Sequence, residues 1–182
     1  MDKNVIIGFF DEASPQTTAN TQRFWSFGKP IVRKNTTKYK ANTFGFYALN
    51  GHSVVDFGEN SKKESICIFL EKIRFGNPGK RIVVILDNFP SHKAAVVREK
   101  AKECDIELVY LPAYSPDLNP IEYIWKSIKR TISNTFIESQ DHMKGLIRVK
   151  FLKYASRISF ANSWIKKFLV GGHKSEMLGA LL

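Results

Sequence analysis

Three carboxylates stand where regular elements should end or begin. Asp11 follows the apolar run 5–10, Asp87 follows the aliphatic run 82–86, and Glu122 lies in the first turn of a helix opened by Asn119-Pro120. Strands that meet in one sheet can bring such positions together across long sequence separations. Clustered carboxylates repel one another and raise their own pKa values. Divalent cations remove that penalty, and hard oxygen ligands suit Mg²⁺, which keeps waters and takes phosphate as a further ligand. Two such ions about 3.5–4 Å apart can stabilise both the attacking and the leaving oxygen of a phosphodiester displacement.

Each carboxylate also has a plain structural use. An Asp after a strand often closes a turn. With Asn119 as N-cap and Pro120 at the first helical position, Glu122 falls at N3, close to a capping box. His92, five residues after Asp87, has two readings, one beside the carboxylate site and one, the favoured, as a solvated or capping histidine at a helix start. Glu12 neighbours Asp11 but faces the other side of a continuing strand. His52, His142 and His173 have no partners at ligand spacing, and Cys67 and Cys104 share no Cys-x-x-Cys pattern. The cysteines read as buried thiols.

The positioning elements follow from periodicity. Residues 5–10, 21–27 and 43–50 read as strands, and Asn50-Gly51 is a hairpin signal with 53–57 as its return arm. Ile66, Phe69, Leu70 and Ile73 have helical spacing within 62–75. Residues 81–86 form a buried strand, 91–104 a helix capped by Ser91, and 106–111 a strand. Ile121, Ile124, Trp125, Ile128 and Ile132 share one helical face. Beyond Asp141 the chain is helical, with a break near Ser156–Asn162. The order predicts an α/β fold: a mixed five-stranded sheet, three antiparallel strands then two parallel, flanked by helices. One domain should span 1–170, its C-terminal helical region starting near 140, with 171–182 as a flexible tail.

The chain has 182 residues, 43% of them hydrophobic, and 28 Lys plus Arg against 17 Asp plus Glu, a formal charge of +11. Disorder throughout is excluded, and the surplus points to a polyanion, either nucleic acid, the favoured one, or an acidic membrane surface. The longest aliphatic run is too short to span a bilayer, so no membrane partner is expected. Lys126, Lys129 and Arg130 lie on the polar side of the Glu122 helix, suited to hold phosphates. Arg33 and Lys34 belong to a second basic cluster with Lys29, Lys38 and Lys40, and a third runs from Lys144 to Lys167. The bland alternative for either of these two clusters is a solvated face.

The segments Ile85-Leu86-Asp87-Asn88-Phe89-Pro90-Ser91-His92 and Tyr114-Ser115-Pro116-Asp117-Leu118-Asn119-Pro120-Ile121-Glu122 resemble those of DDE transposases. The similarity is to the Tc/mariner superfamily and its bacterial insertion-sequence relatives. Thirty-four residues lie between Asp87 and Glu122, the interval common in that group, and Trp125 follows three residues later. Asp11-Glu12 after an apolar strand, then Arg23-Phe24-Trp25 and Gly28, matches the first motif. The resemblance implies a ribonuclease H-like fold with Asp11, Asp87 and Glu122 as a catalytic, metal-binding triad. It implies two Mg²⁺ ions, or Mn²⁺, hydrolysis of double-stranded DNA at transposon ends, and attack of the freed 3′-hydroxyl on target DNA. A homodimer is compatible with it, and in a prokaryote the site of action would be the cytoplasm, at the nucleoid. Family members carry helix-turn-helix domains ahead of the core, and here Met1 lies a few residues before the first strand, so a catalytic region without them is expected. The rival readings are another ribonuclease H-like nuclease, and a decayed or repurposed fragment that only binds DNA.

Overall fold

The computed structural model describes residues 4–18, 27–29, 35–113 and 115–170. Among these residues five strands form one sheet: β1 (Val5–Ala13), β2 (Asn42–Ala48), β3 (Val54–Gly58), β4 (Arg81–Leu86) and β5 (Ile106–Tyr110), in the spatial order β3-β2-β1-β4-β5. The β1–β2 and β2–β3 pairs are antiparallel, and the β1–β4 and β4–β5 pairs are parallel. The expected three-plus-two sheet is present, but its third antiparallel member is the hairpin return arm β3. Of the strand expected at 21–27 only Phe27 is among the described residues, and it is fully exposed in a bend.

Both faces of the sheet are covered, so β1 and β4 read as nearly unbroken apolar runs. Side chains alternate along β1. Phe9 and Ala13 join the core beneath α3 (Ile121–Ser133), α4 (Gln140–Ala155) and the short α5 (Asn162–Ile165). Ile6 and Phe10 join the opposite core, under α1 (Lys63–Gly76) and α2 (Ala95–Glu103). The expected faces are the buried ones: Ile66, Phe69, Leu70 and Ile73 on α1, and Ile121, Ile124, Trp125, Ile128 and Ile132 on α3. Asn50 ties the hairpin to the start of β1, accepting from Ile7 N–H at 3.0 Å and donating to the Val5 carbonyl at 2.6 Å.

Three local expectations change. Asp11 does not follow β1 but lies within it, because β2 continues the ladder through Asp11↔Gly45, Glu12↔Phe44 and Ala13↔Thr43 after β4 has ended. The helix expected at 91–104 is divided. Pro90–Lys93 forms a 3-10 turn, Ala94 is extended with ψ 141°, and α2 begins behind it. Ser91 therefore caps nothing; the Ala94 carbonyl accepts the first helical bonds, from Val97 and Arg98. The C-terminal break is present: α4 stops at Ala155, a 3-10 turn spans Ile158–Ala161, and α5 and a π turn (Lys166–Val170) follow. The expected tail at 171–182 lies outside the described residues.

Candidate active site

Phe9 on β1 pairs with Ile85 on the parallel strand β4. Two residues further along each chain come Asp11 and Asp87. The register thus carries both aspartates to neighbouring positions beyond the end of β4, on the face that Phe9 occupies. That face is the one covered by α3. Opposite Asp11 on β2 is Gly45, where an added Cβ would lie 2.6 Å from Trp125 Cζ2 and 2.7 Å from Phe151 Cε2. The missing side chain lets the α3 and α4 rings rest directly on the β2 backbone. The first turn of α3 consequently overhangs β1. Asp11, Asp87 and Glu122 line one cleft of about 550 Å³ together with Asn88, Ser115 and Asn119.

The capping reading of Glu122 does not hold. The turn at Pro116–Leu118 takes up the Asn119 backbone N–H, which donates to the Pro116 carbonyl at 2.9 Å. The helix cap moves to Pro120, no side chain caps it, and Glu122 is one position earlier in the helix than N3. The Asn119 side-chain amide instead reaches back to the Phe10 carbonyl of β1 at 3.5 Å. The Glu122 carboxylate is left to the cleft.

Electrostatics separate the two aspartates. Burial, then the nearby Glu122 charge, with smaller contributions from Asp87 and Glu12, raises the Asp11 carboxyl from 3.8 to about 8, against a backbone hydrogen bond that lowers it. Asp87 is half-exposed and held below the usual carboxylate range, chiefly by its hydrogen bond with His92. His92 Nδ1 lies 2.6 Å from Asp87 Oδ1, and the Phe89 backbone N–H donates to the same oxygen at 3.1 Å. His92 Nε2 lies 3.4 Å from Glu12 Oε1. The imidazole is 1% exposed and packs edge-on against the Phe10 ring, with centroids 5.3 Å apart. Burial pulls its pKa down, but the hydrogen bonds to Asp87 and Glu12 outweigh this and raise it to about 9. His92 is therefore neither solvated nor a cap. It ties the loop after β4 to β1 from the sheet's other face, where Glu12 does point. Nothing local in the sequence marks this role, because it depends on the β1–β4 register.

The donor chemistry, oxygen atoms of carboxylates and amides, suits a hard divalent ion. Among the described residues Asp11 is a buried carboxylate without a compensating cation, and the buried Oδ1 atoms of Asn88 and Asn119 have no hydrogen-bond partner. Among the described residues, no group of three or more His, Cys, Asp or Glu side chains is already placed to hold a metal ion. Mg²⁺ does not ask for such a group, since it is held by one or two carboxylates, waters and substrate phosphate.

Of the expected phosphate-holding residues, Lys126 and Arg130 line a second groove beside the cleft, and Lys129 is exposed on the same helix. Arg33 and Lys34 lie outside the described residues. Part of the C-terminal basic cluster is structural: Arg148 pairs with Asp56 at 3.5 Å, and Lys144 and Arg148 stand over the Phe57 ring.

A family model described as DDE superfamily endonuclease matches residues 7–144. The Tc1 transposase of Caenorhabditis elegans is 34% identical over 65 residues, 36% of this chain and 24% of that protein. The Tcb2 transposase of Caenorhabditis briggsae is 35% identical over 54 residues, 30% of this chain and 20% of that protein. The fold superimposes on the Mos1 strand transfer complex with a TM-score of 0.61 at 19% identity, covering 90% of this chain and 53% of the Mos1 chain. The catalytic domain of Mos1 mariner transposase gives 0.56 at 20% identity, covering 82% and 70%. The architecture is ribonuclease H-like. The aligned stretches span about a quarter or less of the curated relatives.

Proposed function

The chain belongs to the DDE superfamily of endonucleases, and on that premise we propose that it is the catalytic region of a cut-and-paste DNA transposase. It would hydrolyse double-stranded DNA at transposon ends and then join the 3′-hydroxyl to target DNA. The observation that carries this reading is the shared register of Asp11 and Asp87 with an uncapped Glu122 in the same cleft. Asp11, Asp87 and Glu122 would hold two Mg²⁺ or Mn²⁺ ions, which when bound polarise the scissile phosphate and activate the attacking oxygen.

The chain's own groups account for the rest. His92 fixes one Asp87 oxygen and so sets the carboxylate's orientation. Burial of Asp11 makes its negative form costly until a cation compensates it. Lys126, Lys129 and Arg130 extend along α3 from Glu122 and would hold the DNA backbone by charge-assisted bonds. Mos1 has been solved as a paired-end complex. By analogy two copies of this chain would pair two DNA ends. In a prokaryotic host the work would be done in the cytoplasm, at the nucleoid.

Plasmid nicking tests the reading. Wild type should nick supercoiled DNA with Mg²⁺ or Mn²⁺ and not in chelator, and Asp87→Asn should be inactive while still folded, with a somewhat lower melt because the charge facing His92 is lost. Joining of a 3′-hydroxyl end to a second duplex separates a transposase from other ribonuclease H-like nucleases. Nicking in excess chelator would refute metal dependence.

A further inference from the structure

A groove of about 570 Å³ lies between α3 and the C-terminal helical turns, and the Pro116–Leu118 turn and the start of α3 contribute residues both to it and to the carboxylate cleft. Its volume is in the range of small-molecule sites, roughly 300–1,000 Å³. Glu122 lines the cleft and the next residue, Tyr123, lines the groove. Tyr123, Lys126 and Arg130 follow at i, i+3 and i+7, one stripe of α3 about 10 Å long. Across the groove stand Lys167 and Phe168, with the Lys167 ammonium 5.2 Å from the Phe168 ring centroid. Asp117 is the single acid among the described lining residues, so the wall is net basic. Tyr123 is 48% exposed, and among the described residues no aromatic ring stacks on it.

We infer that this groove binds an unpaired nucleotide of the DNA strand passing through the carboxylate cleft. The inference rests on the DNA-cleaving function proposed above. A base stacks on the Tyr123 ring, while Lys126, Arg130 and Lys167 hold the adjoining phosphates. Aromatic faces between cations are the means by which single strands are held, because each base offers a π-face and each linkage a charge. A paired base is already stacked inside its duplex and cannot use Tyr123, which makes the groove selective for splayed or frayed DNA. Its place one residue from Glu122 sets the unpaired nucleotide next to the scissile phosphate.

Fluorescence anisotropy in chelator tests this without catalysis, using a blunt duplex and the same duplex with a short unpaired tail. The tailed duplex should bind wild type about tenfold more tightly, as stacking of one base on an aromatic side chain provides. Tyr123→Ala should bring it to the level of the blunt duplex, and Tyr123→Phe should keep the preference. Equal binding of both duplexes by wild type, or a preference that survives Tyr123→Ala, would overturn the inference. Metal-dependent plasmid nicking is scored in parallel. Nicking without a tail preference refutes the groove alone, whereas a Tyr123-dependent tail preference without nicking refutes the enzyme and leaves the groove.

Discussion

Asp11→Asn should stabilise the metal-free protein, and increasingly so as pH rises. Burial first, then the Glu122 charge, raises the Asp11 carboxyl from 3.8 to about 8. An acid whose pKa is raised on folding binds its proton more tightly in the native state. Stability therefore falls as pH climbs from about 4 to about 8 and is level beyond. At about 1.4 kcal/mol per pH unit, the penalty is on the order of 2 kcal/mol at pH 5, 4 at pH 7 and 6 above pH 8. Water entry and relaxation in an open cleft reduce the measurable part to about 2–4 kcal/mol above pH 8. For a domain of this size that is a rise of roughly 5–15 °C in melting temperature. Thermal melts of both proteins in chelator at acid, neutral and mildly alkaline pH measure it directly. Mn²⁺ should then raise the wild-type melt by mass action and the variant's much less. A variant that melts at or below wild type at pH 8.5, or a gap that does not widen with pH, would refute the account of Asp11.

Glu122→Gln should leave the melt in chelator close to or slightly above that of wild type, since loss of a helix-dipole interaction of about 0.3–1 kcal/mol is offset by relief of the repulsion between Glu122 and Asp11, while plasmid nicking disappears; near-wild-type nicking would remove Glu122 from the metal site. His92→Ala should destabilise the fold by about 2–3 kcal/mol in urea titrations, because Glu12 and half-exposed Asp87 lose their shared partner. The His92 pKa is raised on folding, so that contribution is complete below about pH 6.5 and lost as pH rises through about 9; a gap between the two proteins that persists undiminished at pH 10 would contradict it. Gly45→Ala should cost about 1–3 kcal/mol or more, since its Cβ would collide with Trp125 and Phe151; a melt equal to wild type would show that α3 does not sit on the sheet as described.

The elements that carry the site were largely legible because their signals are local. The apolar runs of β1 and β4 and the five-residue stripe of α3 each declare a buried face within a few turns of chain. The cleft was legible in outline, as three carboxylates at element ends. What was not legible depends on pairing. The β1 strand runs on through Asp11 because β2, more than thirty residues away, supplies partners there. His92 looks like a surface residue until the β1–β4 register sets Glu12 and Asp87 on either side of it. Glu122 looked like a cap because Asn119-Pro120 has the composition of a helix start. A single tight turn at Pro116–Leu118 uses the Asn119 N–H and removes the box.

The central claim is that Asp11, Asp87 and Glu122 jointly hold the ions that cleave DNA. Counting bound Mn²⁺ by electron paramagnetic resonance, with a duplex oligonucleotide present, tests it most directly. Wild type should bind two ions per chain, as two-metal phosphodiester chemistry requires, and Asp87→Asn should bind fewer while it still melts cooperatively as a folded protein. No bound Mn²⁺ in wild type, or the same number in wild type and Asp87→Asn, would contradict the account.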